Sequence, residues 1–182
     1  MQLKVIFKLE NQLFILILRQ QYNIMITIPS EVQEIMKKGK FIVVCSVDPN
    51  GVANISPRTS FYFTNNAVYW LDFFKHKSQG NFKTIPWISV GTFDIKELKG
   101  FQMKGKVSFV TNTKEKSRIT DIISRSVTGK TSTKIFERLS QNKTPEVMMF
   151  TPKAVYSLNP KEESGTPILI DNDGETVSLL GR

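Results

Sequence analysis

The residues of this chain best placed to do chemistry form a short basic run that ends at a hydroxyl group, Lys75-His76-Lys77-Ser78. The run leaves a predicted strand and enters a predicted helix. The positive end of the helix dipole and the free backbone N–H groups of the first turn therefore point toward the same place as the two lysines. Such a place attracts an anion, and a phosphate group fits it well. The pattern predicts a phosphate anchor at these four residues.

A second cationic group precedes the run, in the segment Ser56-Pro57-Arg58-Thr59-Ser60. A guanidinium group presents paired N–H donors that match two phosphate oxygens, so Arg58 is predicted to contact the same anion. His76 is the one histidine of the chain, and no Ser/His/Asp grouping can be built around it. We therefore expect His76 to be a surface residue or a phosphate contact, and no catalytic side chain is assigned.

Composition narrows the class of protein and of partner. The net charge of +9 favours an anionic partner, while 40% hydrophobic and 23% charged residues are typical of a globular domain. Cys45 is the one cysteine, which excludes an internal disulfide and the usual Cys/His zinc sites and favours a cytoplasmic setting. The apolar run at residues 14–18 is far shorter than the roughly 20 residues that cross a bilayer, so no membrane span is expected.

The elements that must position these residues are short strands separated by turn residues. Ser30 and Gln33 have the spacing of a capping box at the first helix, and Gly105 interrupts an alternating strand as a bulge would. Strands are predicted at 41–47, 52–56, 60–63, 67–71, 87–93, 101–110 and, at the end, 146–150 with 154–158. Helices are predicted at 30–39, 78–84, 112–126 and 133–139. About six strands in this order favour a mainly β fold, a small antiparallel barrel with flanking helices.

One domain is expected at residues 25–160, because the chain is too short for two ordinary domains. Residues 1–24 are interpreted as an N-terminal extension or a mis-assigned start, and residues 161–182 as a C-terminal tail. Neither segment is given a function. The glycine-rich motifs of the two commonest nucleotide-binding loops are absent from the sequence.

In these residues, and in the order of its elements from 29 to 158, the chain resembles the pyridoxamine 5'-phosphate oxidase-like FMN-binding split barrels. The landmarks are the opening helix, the strand and turn at 41–51, the segment 54–60, the run 76–81 and the strand that begins Gly100-Phe101-Gln102-Met103. The resemblance implies a six-stranded antiparallel split barrel and a homodimer with two FMN molecules at the subunit interface. The sequence differs from that of pyridoxamine phosphate oxidase itself, because it lacks that enzyme's paired arginine-lysine motif and its C-terminal substrate-binding segment.

Carried over to this chain, the resemblance implies a set of cofactor contacts. The phosphate contacts would be Arg58, Lys75, His76, Lys77 and Ser78, the flavin ring would be lined by Ser56, Pro57, Thr59 and Ser60, and Gln102 would reach the flavin. The implied function is an FMN-binding oxidoreductase or a flavin-dependent electron carrier acting on a small-molecule redox substrate or electron donor. The deazaflavin F420 is an alternative cofactor for the same fold.

Two alternatives from other functional classes remain open at the level of sequence. Aromatic residues interleaved with lysines, as at 73–77, also occur in barrels that bind single-stranded nucleic acid. We expect this partner less than a cofactor, and such a protein would bind single strands in a salt-dependent way and would not be yellow. The other alternative is a dimeric domain that has lost its cofactor.

Overall fold

The computed structural model describes residues 26–74, 76–127, 130–161 and 166–170. The N-terminal extension predicted at 1–24 and most of the predicted C-terminal tail lie outside these ranges. The helices are α1 (Ser30–Gly39), α2 (Lys77–Thr84), α3 (Thr113–Ser126) and α4 (Lys130–Asn142). The strands are β1 (Ile42–Val47), β2 (Ala53–Arg58), β3 (Phe61–Phe63), β4 (Val68–Asp72), β5 (Trp87–Asp94), β6 (Lys99–Phe109), β7 (Glu146–Ser157) and β8 (Pro167–Ile170).

The described strands form one antiparallel sheet that curls into a split barrel. Its order is β2-β1-β5-β6-β7-β4-β3, and β8 pairs with β7 beyond this path. The predicted strands at 41–47 and 52–56 pair as the hairpin β1–β2, and those at 60–63 and 67–71 pair as the hairpin β3–β4. The predicted mainly β split barrel is therefore confirmed. The sheet has eight strands where the resemblance implies six. Of these, β8, which pairs with β7, was not predicted from the sequence.

Alternating side chains divide the sheet into an inner and an outer face. Inner-face residues of the barrel strands, among them Val44, Trp70 and Met103, form the main core together with Met36 of α1 and Phe82 of α2. The outer face of β4 and β7 carries a second core, which α3 and α4 cover. Its buried members are Leu71, Phe73, Ile119, Ile123 and Val147. The helices therefore occupy two places: α1 and α2 pack in the barrel, and α3 and α4 pack outside it.

The outer face of β1, β2 and β5 is not part of either core among the described residues. Apolar side chains nevertheless point outward there: Val47 and Phe93 are exposed, and Ile55 is 70% exposed. Cys45 lies between Ile55 and Ser89 on the same face and is half-buried. We call this surface of β1, β2 and β5 the outer patch.

The start of α1 differs from the predicted capping box. The N-cap residue is Pro29, without a side-chain hydrogen bond to the helix, and Ser30 is already the first helical residue. Gln33 Nε2 instead donates a hydrogen bond to the backbone oxygen of Ile28 at 2.8 Å. The prediction was wrong because Ile28 is buried in the core and offers Gln33 a fixed carbonyl before the cap position. At α3 the N-cap residue is Asn112, whose Oδ1 accepts a hydrogen bond from the backbone N–H of Glu115.

None of the helices within the described ranges is long and apolar enough to cross a membrane. Within the same ranges, no group of three or more His, Cys, Asp or Glu side chains is arranged to hold a metal ion.

Candidate cofactor-phosphate site

Two polar contacts hold Asp72 and Ser78 alongside strand β2. At one end, Ser78 Oγ accepts a hydrogen bond from Asn54 Nδ2 at 2.9 Å. At the other end, Asp72 Oδ2 lies 3.8 Å from Nη2 of Arg58. Asn54 and Arg58 alternate with outward residues on β2, so both face the same side as Ser56, which lies between them. The segment that contains the predicted phosphate anchor therefore lies beside the predicted residues Ser56 and Arg58.

The guanidinium group of Arg58 is held in a largely buried place. The side chains of Arg58 and Asp72 are only 16% and 3% exposed. Burial lowers the pKa of Arg58, and the charge of Asp72 raises that pKa in part. Nε of Arg58 and Oδ2 of Asp72 are buried and have no hydrogen-bond partner among the described residues. Arg58 therefore keeps an N–H donor that an anionic ligand could use.

Helix α2 begins directly after this segment. His76 is its N-cap residue with extended backbone, and its side chain does not cap the helix. Lys77 is exposed at the first helical position, whereas Ser78 is buried by its contact with Asn54. The first backbone N–H groups of an α-helix have no partner within the helix, so the helix start adds donors beside the Lys77 ammonium group.

Two side-chain hydrogen bonds fix α2 on the sheet. Asn81 Nδ2 donates to Ser46 Oγ at 3.1 Å, and Ser46 is the ladder partner of Asn54 in the β1–β2 pair. Asn54 in turn donates to Ser78. The two asparagines were not predicted as site residues. A signal was present in the sequence, because asparagine is disfavoured within strands and helices unless its amide group has a partner.

A further cation, from a distant part of the chain, lies next to the run. The rings of Phe74 and His76 stack with centroids 5.6 Å apart and planes 9° apart. Lys143, just after α4, places its Nζ 4.7 Å from the centroid of the Phe74 ring. No local pattern could have predicted this contact, because Lys143 reaches the run only through the packing of α4 on the barrel.

The remaining predicted residues are spread over both faces of the sheet. Thr59 is exposed and Ser60 half-buried in the link from β2 to β3. Pro57, Val43, Gly91 and Gln102 are neighbours in one row across strands β2, β1, β5 and β6. The side chains of this row point to the outer face of the sheet. Gln102 Nε2 donates to Ser89 Oγ at 2.8 Å on that face. Within one chain, Gln102 and Pro57 are therefore separated by the sheet from Arg58 and Ser56. Lys75 lies outside the described residues.

Comparison with known proteins identifies the fold. No family model matches the sequence, and no curated protein matches it either. Solved structures do match. One is a protein related to general stress protein 26 from Clostridium acetobutylicum, of the pyridoxinephosphate oxidase family, with a TM-score of 0.58 and 13% identity over 72% of this chain and 88% of that chain.

Two further structures carry other names. HutZ, the heme storage protein from Vibrio cholerae, matches with a TM-score of 0.56 and 17% identity over 72% of this chain and 94% of that chain. An F420 reductase matches with a TM-score of 0.50 and 13% identity over 70% of this chain and 98% of that chain. At these identities the similarity concerns the fold. The chain thus has the split-barrel fold of the pyridoxamine 5'-phosphate oxidase-like proteins.

Proposed function

We propose that this protein binds FMN by its phosphate group and serves as a flavin-dependent oxidoreductase or electron carrier. The observation that carries the proposal is the position of Asp72 and Ser78, which are held against β2 by the Arg58–Asp72 and Asn54–Ser78 contacts. This arrangement puts the start of α2, Lys77 and the unpaired Nε of Arg58 on the same side of one strand. These groups suit a phosphate, which accepts several hydrogen bonds and carries negative charge.

Bound flavin would supply the redox chemistry, and the side chains would anchor it and tune its environment. In the proposed arrangement Arg58, His76, Lys77 and Ser78 hold the phosphate, with Lys75 in the same run. Ser56, Thr59 and Ser60 line the ring from the link between β2 and β3. The partner of the flavin would be a small-molecule redox substrate or electron donor.

F420 is a second candidate cofactor, because a matching structure is named an F420 reductase and F420 also carries a phosphate group. The anchor described above would serve either ligand. A matching structure is also named a heme storage protein, so haem belongs among the ligands that are tested.

We also propose that the protein is a homodimer in the cytoplasm. The outer patch supports the dimer, because apolar side chains such as Ile55 and Phe93 stay exposed on it in a single chain. A second copy on this surface would also bring Pro57 and Gln102, which point outward, to the interface that the family resemblance assigns to the flavin. A reducing compartment suits Cys45, a free cysteine on the same face.

The first test is the absorption spectrum of the purified protein, followed by titration with FMN, F420 and haem. We expect flavin bands to remain with the protein after unbound FMN has been removed. Lys77→Ala should weaken FMN binding by roughly tenfold, the loss of about 1.4 kcal/mol that one charge-assisted contact supplies. Riboflavin, which lacks the phosphate, should bind equally to both proteins.

Lys83→Ala is the matched control, since Lys83 is exposed at the other end of α2 and lies over the Phe109 ring. This variant should bind FMN as the wild type does. A protein that binds neither FMN nor F420 contradicts the proposal. Binding of haem alone, or salt-dependent binding of single-stranded nucleic acid without flavin, points to another function.

A further inference from the structure

We propose that Asp72 is a positioning residue of the phosphate anchor, which keeps Arg58 and the segment after β4 in fixed relation to each other. The inference rests on the proposed function, and it assigns a role to a residue that the sequence did not single out. Asp72 is the last residue of β4, and its side chain is almost completely buried. Each of its carboxylate oxygens faces a different part of the anchor.

One oxygen faces Arg58. A buried guanidinium group is costly without a counter-charge, and Oδ2 of Asp72 supplies one at 3.8 Å from Nη2. Glu146, opposite Asp72 in the ladder, is paired with Lys116 at 2.8 Å and is not available for this purpose. Loss of the Asp72 charge would favour an Arg58 side chain turned toward water. The position from which Arg58 reaches the phosphate then depends on Asp72.

The other oxygen faces the chain that leads to the anchor. Oδ1 of Asp72 accepts a hydrogen bond from the backbone N–H of Phe74 at 3.3 Å. This is the local bond by which an aspartate stabilises a turn two residues on, and it fixes the chain at Phe74, whose ring stacks on His76. Asparagine keeps this acceptor and removes the charge. Asp72→Asn therefore tests the Arg58 role separately from the turn.

The experiment measures the dissociation constants of FMN and riboflavin for four proteins: wild type, Asp72→Asn, Arg58→Ala and the double variant. We expect Asp72→Asn to weaken FMN binding by about tenfold and riboflavin binding by less than about twofold. In the Arg58→Ala background, Asp72→Asn should add no further loss of FMN affinity, because residues that act through one contact are not additive.

The outcomes are distinct. Unchanged or tighter FMN binding by Asp72→Asn overturns the inference, since Asp72 then does not hold Arg58 in its binding position. If Asp72→Asn weakens the binding of FMN and of riboflavin equally, Asp72 has a merely structural role and the inference is overturned. The same holds if Asp72→Asn lowers FMN affinity as much in the Arg58→Ala background as in the wild type. If the wild type binds no phosphorylated flavin, the proposed function fails and the inference fails with it.

Thermal unfolding of each variant identifies any protein that does not fold. For that case Asp72→Glu is the second variant, because it keeps the charge and moves the carboxylate by one methylene group. It should also weaken FMN binding more than riboflavin binding. Equal effects on the two flavins would again overturn the inference.

Discussion

Gly105 is the residue at which the sheet leaves the least room for a side chain. It lies at the register shift between β6 and β7, and a Cβ atom there would clash with the backbone oxygen of Thr151. The clash is with a backbone atom, which cannot move away by a change of side-chain rotamer. We expect Gly105→Ala to lower the free energy of unfolding by about 3 kcal/mol, measured by urea denaturation.

Gly80→Ala is the control for this variant. Gly80 lies within α2, and a Cβ atom there meets nothing within 4 Å. Alanine stabilises a helix relative to glycine by up to about 1 kcal/mol, so this change should raise stability. A Gly105→Ala protein as stable as the wild type would show that the bulge can shift to admit a methyl group.

Single residues also show how far the sequence could predict the site. The basic run and Arg58 stood out because cations next to a helix start are a local pattern. Asp72 and Lys143 did not stand out, because their contacts with Arg58 and Phe74 join residues far apart along the chain or depend on burial. Asn54 lies in a segment that the resemblance included, yet its hydrogen bond to Ser78 follows only from the packing of α2 on β2.

At the scale of elements, the sequence predicted most strands and helices from alternation and turn residues. The final strand, which the sequence predicted from 146–150 together with 154–158, is β7, and it also includes the intervening residues 151–153. In the structure the strand runs through, because Pro152 is opposite Gly105 at the bulge, where a missing N–H group is tolerated. β8 was not predicted, since a strand of four residues carries too little pattern.

The layer formed by α3 and α4 supports the outer side of the barrel, and its role can be separated from ligand binding. Ile123 is fully buried in the second core with Leu71 and Val147. Ile123→Ala leaves a cavity there and should lower the free energy of unfolding by about 3 kcal/mol, whereas Ile123→Val should cost about 1 kcal/mol. Denaturant titration measures both values.

FMN affinity is the second measurement on the same variants. The proposed anchor faces the main core and not the second one, so both folded variants should bind FMN within about twofold of the wild type. A loss of FMN affinity in Ile123→Ala, at a temperature where the protein is folded, would show that the second core controls the anchor. Lys143 would be the residue to test next, because it follows α4 and contacts Phe74.

For the whole molecule, charge and shape favour different partners on different surfaces. The net charge of +9 attracts anions over the entire surface and does not select a site. The outer patch favours a protein partner instead, because it exposes the apolar side chains of Val47, Ile55 and Phe93. Lys106 lies beside the patch, over the Trp87 ring. An apolar centre with a polar border is the usual composition of a protein interface.

Ile55→Lys should therefore dissociate the proposed dimer. Ile55 is 70% exposed on the edge strand β2 of the outer patch, and two copies of a lysine there would place like charges in an apolar contact. Ile95→Lys is the control, since Ile95 is 80% exposed in the turn between β5 and β6. Light scattering after size exclusion should give twice the monomer mass for wild type and control, and the monomer mass for Ile55→Lys, with weaker FMN binding. A monomeric wild type that binds FMN would show that one chain completes the site.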